Sequence, residues 1–435
     1  MPRPAIVAHA DWSLEPRKRW LATARLDGDR YTVGTPEPVG DSGTLLTRLR
    51  GDATPVLVGF DFPIGVPIAY AERAGIRDFV AFLRDRFGLR DWSEFANVAE
   101  RREQISVRRP FYPLRPGGTR QQHLCNGLGV AALGDLRRAC ERQTSTRRPA
   151  CPLFWTLGGN QVGKAALSGW RDVLVPALRG RSGGVAIWPF HGSLTEFVEG
   201  NDVVIAETYP TEYYGLVGFT GGKRLQERRR AAAAGVLAWF RTAGIEAGRG
   251  LVAELEDGFG SEPDGEDRFD AVAGLVGMLA VVLGRREPGE DGSPEARVEG
   301  WILGQARAAA PAPGIPASRP GSPLTGVEPG ELERASTNYV VGSALLFEND
   351  RVRVWDITLG PGERTPFHCH RTTYFYRCES GGRWRVRTLD GEVLTGEDAP
   401  GEVTFHELGP GELLVHELTN VGEAPLCYTT VELVS

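Results

Sequence analysis

The chain has 435 residues, of which 41% are hydrophobic and 24% are charged, and its formal net charge at pH 7 is −6. This balance is typical of a soluble globular protein and excludes a disordered, collagen-like or coiled-coil chain. A length of this order corresponds to roughly two to three domains. Residues 1–13 contain no apolar signal segment, and the longest apolar run, residues 271–284, is too short to span a bilayer. We therefore expect a cytoplasmic protein without a membrane partner.

Residues 310–330 divide the sequence into two parts. Six prolines fall in this segment and interrupt both helix and strand, which is typical of a semi-rigid linker. Residues 335–435 carry 8 arginines, no lysine and 15 acidic residues, a net charge of −7, whereas the rest of the chain has a net charge of +1. The sequence therefore predicts two domains, residues 1–309 and 335–435, joined by a linker at 310–330.

The N-terminal domain begins with a predicted strand meander at residues 5–12, 19–26 and 30–35, followed by a helix at 42–50. Residues 55–60 are a continuous apolar run, which is typical of a strand buried on both faces. A second run of this kind lies at residues 202–206, and the last helix begins near residue 266 and continues through an apolar stretch. This order of elements predicts an α/β domain.

Acidic residues stand where these apolar elements begin or end. Asp11, Asp61 and Glu207 each end a predicted strand, and Asp267 and Asp270 share one helix face by their i, i+3 spacing. A buried carboxylate is costly unless it is paired or binds a cation, so converging acids need a divalent metal. All-oxygen ligation favours Mg²⁺ or Mn²⁺ and two-metal phosphoryl chemistry. The alternative is that each acid is a cap or turn residue.

Four stretches of this domain resemble a bacterial family of unknown function that is predicted to consist of ribonuclease H-like nucleases: A-D-W-S, G-F-D-F-P-I-G-V-P, A-E-T-Y-P-T-E and D-R-F-D-A-V-A-G-L. The resemblance covers about residues 5–285 and implies an α/β ribonuclease H-like domain, a mixed sheet with helices, with a large insertion at about residues 67–200. It also implies the catalytic metal ligands, which are Asp11, Asp61, Glu207 and Asp270, with Asp267 as a substitute, and Mg²⁺ or Mn²⁺ as the cofactor.

The insertion contains two candidate substrate contacts. Residues 101–148 hold 11 arginines against three acids, together with Phe111 and Tyr112, and such a stretch either tracks a nucleic-acid backbone or forms a solvated helical face. Asn160, Gln161 and Lys164 lie in a polar, glycine-bearing segment. These three side chains either contact substrate or belong to a loop that caps a helix.

Residues 352–435 read as short strands separated by glycine-rich turns, which predicts an antiparallel sandwich or barrel. His368 and His370 are two residues apart, so both point to one face of a strand. His416 lies in a later strand, four residues before Asn420.

These histidines resemble the two motifs of the cupin family, except that Tyr374 stands where the family has a metal-binding glutamate. The resemblance implies an all-β cupin barrel whose metal ligands are His368, His370 and His416. Three imidazoles suit Fe, Ni, Mn or Zn, and the loss of the carboxylate should weaken the site. The alternative is a metal-free barrel that binds a small-molecule ligand or mediates dimers.

Three functions are consistent with these patterns. The first is a metal-dependent, ribonuclease H-like hydrolase of phosphodiesters that carries the cupin as a sensor or homodimerisation module. The second is a cupin oxygenase or isomerase that acts on a small molecule, with the N-terminal domain binding substrate. The third is a non-catalytic binding protein.

Overall fold

The computed structural model describes residues 2–115, 117–142, 150–157, 162–180, 184–190, 192–219, 222–289, 293, 295–306, 327, 330, 331–349, 351–389, 391–406, 408 and 413–434. The chain forms two compact units, Met1–Ala309 and Ala310–Ser435. The predicted linker at 310–330 lies outside the described residues except for positions 327 and 330, as do Asn160 and Gln161.

Unit 1, Met1–Ala309, mixes strands and helices. Its strands are β1 (Ile6–Asp11), β2 (Trp20–Asp27), β3 (Arg30–Val33), β4 (Glu37–Pro38), β5 (Val56–Phe60), β6 (Val185–Ile187), β7 (Val203–Glu207) and β8 (Glu246–Ala247). Its helices are α1 (Leu45–Asp52), α2 (Ile68–Ala74), α3 (Phe79–Asp85), α4 (Gln121–Leu128), α5 (Val162–Gly169), α6 (Val175–Arg179), α7 (Leu194–Gly200), α8 (Pro210–Tyr213), α9 (Gln226–Ala243), α10 (Arg249–Asp257), α11 (Gly265–Val282) and α12 (Ala296–Glu299).

The strands of unit 1 form one mixed sheet in the order β6-β7-β5-β1-β2-β3-β8, with β4 paired to β2. The meander β1-β2-β3 is antiparallel, while β5 runs parallel to β1, and β7 runs parallel to both β5 and β6. The carboxyl ends of β1, β5 and β7 therefore meet at one edge of the sheet.

Both faces of this sheet are covered, which explains why β1, β5 and β7 are buried along their whole length. One face, which includes Ala10 and Phe60, packs against the helices of the insertion. The other face, which includes Val7 and Leu57, packs against α9, α10 and α11. Because side chains alternate between faces, the parity of a strand residue decides which of the two cores it enters.

Unit 2, Ala310–Ser435, contains the short helix α13 (Glu331–Arg334) and nine strands in its described part. The strands are β9 (Ala344–Glu348), β10 (Val352–Leu359), β11 (His368–His370), β12 (Tyr374–Cys378), β13 (Gly382–Thr388), β14 (Val393–Asp398), β15 (Val403–His406), β16 (Leu414–Asn420) and β17 (Leu426–Leu433). They form a five-stranded sheet in the order β15-β12-β17-β10-β9 and a four-stranded sheet in the order β11-β16-β13-β14.

Every strand pair of unit 2 is antiparallel. Residues from both sheets, among them Ile357, Tyr428 and Leu418, form its core. Across the described part of the whole chain, the helices are too short or too polar to cross a membrane.

Candidate metal sites

Asp11 and Asp61 stand side by side at the carboxyl edge of the sheet in unit 1. In the parallel pair β1–β5, Ala10 is opposite Phe60, so the next residue of each strand is an aspartate. His9, two residues before Asp11, contacts the Ala271 carbonyl of α11 through Nδ1 at 3.0 Å. Asp11 and Asp61 therefore face α11 by strand parity. The two carboxyl groups interact electrostatically, and Asp61 accepts a hydrogen bond from the backbone N–H of Trp12 at 2.6 Å.

The first turns of α11 add Asp267 and Asp270 to this edge. Asp270 is buried, and its carboxylate accepts a hydrogen bond from the Tyr214 hydroxyl at 2.5 Å. The same carboxylate forms an ion pair with Lys223. Four carboxyl groups and one ammonium group therefore lie near enough to interact electrostatically where β1, β5 and α11 meet.

The environment of Asp11, Asp61 and Asp267 favours their protonated forms. Burial raises the pKa of Asp11 well above its ordinary value, and the carboxyl groups of Asp61 and Asp270 add to the shift. Burial also raises the pKa of Asp61 to about 7, although the hydrogen bond from Trp12 works in the opposite direction. Burial and the nearby Glu266 raise the pKa of Asp267 to about 6. Since mutual repulsion and desolvation are the causes, a bound divalent cation would offset both.

Glu207 is not brought together with the aspartates. In the parallel pair β5–β7 it lies opposite Phe60, so its side chain enters the core on the other face of the sheet. There it accepts hydrogen bonds from Arg138 at 2.5 and 2.6 Å and from the backbone N–H of Ile64 at 2.6 Å. Arg138 is fully buried and also binds Glu141. Glu207 is in register with Phe60, whereas Asp61 is one residue further along and therefore points to the opposite face of the sheet. Glu207 thus fixes the insertion to the sheet, and Asp61 faces α11.

Thr208 directly follows β7 and lies beside Asp61, where an acid would have continued the row of Asp11 and Asp61. Its backbone N–H bonds the Phe60 carbonyl, and its γ-methyl lies on the same side of the sheet as α11, near Met278. The residue is 1% exposed, and its hydroxyl has no hydrogen-bond partner among the described residues. The row across the three parallel strands is therefore Asp11, Asp61, Thr208.

The candidate substrate contacts of the insertion are placed as follows. Lys164 is on the surface of α5, and its ammonium group lies 3.5 Å from the Leu114 carbonyl. In the basic stretch at 101–148, Arg102 pairs with Glu103, Arg109 with Glu94 and Arg115 with Glu100. These ion pairs partly neutralise the stretch, so its linear charge overstates the positive charge of the surface.

In unit 2, His368, His370 and His416 come together inside the barrel. His368 and His416 are directly opposite in the antiparallel pair β11–β16, and His370 is two residues along β11 on the same face. Their ring centroids are 4.7 to 5.2 Å apart. One nitrogen from each ring lies within 4.8 Å of the others, and among the described residues this is the one group of three or more potential ligands that is so close. No three acids of the described part of unit 1 form such a group.

The three imidazoles are held in their neutral form. Burial lowers the pKa of His368 to about 4. Burial and the neighbouring imidazoles also lower the pKa values of His370 and His416. Neutral imidazole is the form that binds a metal, so no proton has to be removed from the site before a metal enters.

Hydrogen bonds orient two of the three rings. Nδ1 of His370 lies 3.2 Å from a carboxylate oxygen of Glu432, and the other Glu432 oxygen accepts a hydrogen bond from the indole N–H of Trp355 at 3.0 Å. Nδ1 of His368 lies 2.9 Å from the Pro366 carbonyl. In both rings the δ nitrogen is thereby engaged, which leaves the ε nitrogen for a metal.

Tyr374 lies beside the histidines as a stacked ring. Its ring centroid is 3.7 Å from that of His370 with an interplanar angle of 9°, and its other face stacks on His406 at 4.6 Å. Tyr374 and Glu432 are directly opposite in the antiparallel pair β12–β17. A carboxylate therefore does reach the position next to Tyr374, but it comes from the neighbouring strand.

The sequence patterns missed four side chains of these sites, which are Thr208, Tyr214, Lys223 and Glu432. Lys223 and Tyr214 are 47 and 56 residues from Asp270, and Glu432 is 62 residues from His370, so no local spacing connects them. One signal was present for Glu432, because it is an acid at an inward position of an otherwise alternating strand.

No protein-family model matches the chain, and neither does any curated protein sequence. Among solved structures, the chain is similar to a cupin domain from Bordetella pertussis, with 21% identity and a TM-score of 0.19, over 21% of this chain and 91% of that one. It is also similar to a protein with a double-stranded β-helix domain from Klebsiella pneumoniae (21% identity, TM-score 0.18, 21% and 73% covered) and to a cupin superfamily protein from Desulfitobacterium hafniense (17%, 0.17, 28% and 95%). These similarities concern the fold of part of the chain.

Proposed function

We propose that unit 2 binds a transition metal through His368, His370 and His416 and acts with it on a small molecule inside the barrel. The observation that carries this proposal is the approach of one nitrogen from each ring to within 4.8 Å of the other two. A donor set of three neutral imidazoles fits Fe, Ni, Mn or Zn. Such a metal, when bound, supplies a Lewis acid or a redox centre with coordination positions that the protein does not fill.

The residues around the histidines have separate tasks in this proposal. Glu432 accepts the Nδ1 proton of His370 and so fixes the tautomer that presents Nε2. Trp355 holds the Glu432 carboxylate in place through its indole N–H. Tyr374 fixes the plane of the His370 ring by stacking on it. Together these contacts orient His370 before a metal binds.

Elemental analysis of the purified full chain tests the metal site. The wild type, reconstituted with Fe, Ni, Mn or Zn in turn, should retain one of these metals after dialysis, and His368→Ala and His416→Ala should lose it. His123→Ala is the control, because His123 lies in unit 1, where its ring contacts the Tyr112 hydroxyl. A wild type that holds no metal after reconstitution would leave the barrel as a metal-free binding module.

As a second function, we propose that unit 1 is a ribonuclease H-like hydrolase of phosphodiesters that uses Mg²⁺ or Mn²⁺. The observation that favours it is the row of Asp11 and Asp61 on adjacent parallel strands, facing Asp267 and Asp270 on α11. An antiparallel meander continued by parallel strands on the far side of β1 is the sheet arrangement expected of that fold. The four carboxyl groups fit hard divalent cations, which supply charge neutralisation at the attacking and leaving oxygens when bound.

Lys223 adds a positive charge to this proposed site. Lys223 pairs with Asp270, and that carboxylate raises the pKa of the ammonium group above its ordinary value even though partial burial works in the opposite direction. A permanently charged lysine at the rim of the acids would attract a phosphate group. Nucleic acid, the substrate that this chemistry suggests, would then approach along the edge where β1 and β5 end.

Thermal unfolding with Mn²⁺ or Mg²⁺ tests this second function. A cation that binds only the native state should raise the unfolding temperature of the wild type, and Asp61→Asn should abolish the shift. Asp202→Asn is the control, because Asp202 lies at the opposite end of β7 in an ion pair with Arg50. Cleavage assays on single- and double-stranded DNA and RNA follow. A cation shift without cleavage of any of the four would contradict the hydrolase and retain the metal site.

A further inference from the structure

The outer face of the five-stranded sheet in unit 2 carries an apolar row that crosses all five strands. In register, the row runs Phe347, Val354, Val431, Phe375, Phe405. Phe347 and Phe405, at its two ends, are 53% and 56% exposed, and the three residues between them are partly buried. An antiparallel sheet with one solvated face normally alternates apolar residues inward and polar residues outward. This row departs from that rule on every strand.

The outer face of the four-stranded sheet is more polar, although Val393 is exposed on it and Arg387 and Glu417 form a buried ion pair there. There β13 presents Arg383 and Arg385, and Arg383 is opposite Glu397 of β14. The five-stranded sheet therefore exposes an apolar row, whereas the four-stranded sheet exposes mainly charged side chains. Contiguous apolar patches of a few hundred Å² on a protein surface mark interaction sites, so the five-stranded sheet is the side on which a partner is expected.

The partner that fits this surface is a second copy of the chain. A two-fold axis parallel to β17, the central strand, exchanges β10 with β12 and β9 with β15. When two sheets pack face to face about this axis, Phe347 meets Phe405 of the second copy, and Val354 meets Phe375 of the second copy. Val431 meets its own equivalent, so apolar side chains oppose one another along the whole row.

The charges of the same face agree with this symmetry. Two residues along the strands from the apolar row, Asp356 of β10 and Arg377 of β12 lie on either side of Thr429. The same axis places Asp356 opposite Arg377 of the second copy, and this happens twice because the interface is isologous. No like charges meet in this row. We propose that the outer face of the five-stranded sheet is the homodimer interface of this protein.

The size of the face is adequate for this role. The five strands are between four and eight residues long, and at a spacing of about 4.8 Å and a rise of about 3.3 Å per residue they give a face of roughly 500 Å². A standard interface buries about 800 Å² on each partner. Side chains that interdigitate between sheets about 10 Å apart bury more accessible surface than the projected area of the face.

Charge reversal in the full chain tests the interface, with sedimentation velocity at several micromolar concentrations as the measurement. The wild type should dimerise. Arg377→Asp and Asp356→Arg should each weaken the dimer by at least about tenfold, because each places like charges opposite one another. The double variant with both substitutions should restore it, since the pairs re-form with their signs exchanged. Phe405→Glu should weaken the dimer, and Arg383→Asp, on the other sheet, should leave it unchanged.

Rescue by the double variant separates an interface effect from misfolding, and unfolding temperatures of all variants provide a second check. A wild type that stays monomeric at every concentration would overturn the proposal. So would a dimer that survives both single reversals and Phe405→Glu, since another surface would then hold the copies together. Single variants that dissociate without rescue in the double variant would also contradict the predicted pairing of Asp356 with Arg377.

Discussion

The acidic edge of unit 1 (Asp11, Asp61, Asp267 and Asp270) and the histidine group of unit 2 (His368, His370 and His416) both bury several titratable side chains close to one another. Burial has opposite effects on the charge of the two groups. At the acidic edge, where Asp11, Asp61 and Asp270 interact, the pKa values of Asp11 and Asp61 rise because burial and the neighbouring negative charges disfavour their charged forms. In the barrel, burial lowers the pKa of His368 and keeps the imidazole neutral. The first site is destabilised by charge until a cation or protons enter, whereas the second is ready for a metal at neutral pH.

The two sites also differ in how their side chains are held. His370 is held by Glu432, which Trp355 holds in turn, and His368 is held by the Pro366 carbonyl. One nitrogen from each of the three imidazoles already lies close to the other two. The aspartates lie at strand ends and in the first turns of a helix, where Lys223 supplies the compensating positive charge. The barrel therefore holds neutral side chains in place through hydrogen bonds, whereas the acidic edge needs a positive charge as well.

The largest expected effect is the loss of stability in a Glu207 variant, which should leave cation binding by the aspartates intact. Glu207→Gln removes one of the two charged partners of the buried Arg138, leaving Glu141, and should destabilise unit 1 by up to about 3–5 kcal/mol, the usual cost of breaking a buried ion pair. The Mn²⁺-induced shift in unfolding temperature should persist, because Glu207 lies on the other face of the sheet. Chemical denaturation with and without Mn²⁺ measures both quantities. Loss of the shift with little loss of stability would return Glu207 to the metal ligands.

The next effect concerns the pre-organisation of the barrel. Glu432→Gln should weaken metal binding by about 10- to 100-fold, the usual effect of removing a carboxylate that orients a ligating histidine. Glu417→Gln is the control, since Glu417 is equally buried but binds Arg387 instead of a histidine. Competition with a chromophoric chelator measures the affinities. Equal affinities in the two variants would show that Glu432 does not position His370.

The opposite electrostatics predict opposite pH dependence for the metal-free protein. The folded-state pKa of Asp61 is raised from 3.8 to about 7, so its contribution to stability is full below pH 4 and is lost as pH rises through 7. The folded-state pKa of His368 is lowered from 6.5 to about 4, so its contribution is present above pH 6.5 and is lost as pH falls through 4. Between pH 7 and 5 each change should be on the order of 1–2 kcal/mol.

Difference measurements isolate these two groups from the rest of the titration. In chelator, the stability of the wild type minus that of Asp61→Asn should rise as pH falls from 7 to 5. The stability of the wild type minus that of His368→Gln should fall over the same range. If both stability differences rose, or both fell, as the pH was lowered, the two sites would not differ in their electrostatics as described.

The smallest expected effect concerns Thr208. Its buried hydroxyl has no hydrogen-bond partner among the described residues, so Thr208→Val should stabilise the metal-free protein by up to about 1 kcal/mol. The same substitution should reduce the Mn²⁺-induced shift, while Thr208→Ser should preserve it, if the hydroxyl serves the cation site. A destabilised Thr208→Val with an unchanged shift would make the hydroxyl a purely structural group.

The sequence by itself determined the local patterns on which these sites depend. The apolar runs before Asp11 and Asp61 predicted buried strands, and β1 and β5 confirm them, because a strand covered on both faces has to be apolar throughout. The two-residue spacing of His368 and His370 predicted a shared face, which β11 confirms. Both predictions needed only the geometry of one element.

Only the tertiary structure decided which strand-end residues meet. Glu207 and Thr208 are adjacent in sequence, and the parallel register of β7 with β5 sends the first into the Arg138 ion pair and the second toward α11. A shift of one residue in register would exchange their roles, and no composition or spacing fixes that register. For the same reason Glu432 reaches His370 from a strand 62 residues away. Contacts between distant segments depend on strand pairing, which is set by the packing of the whole unit.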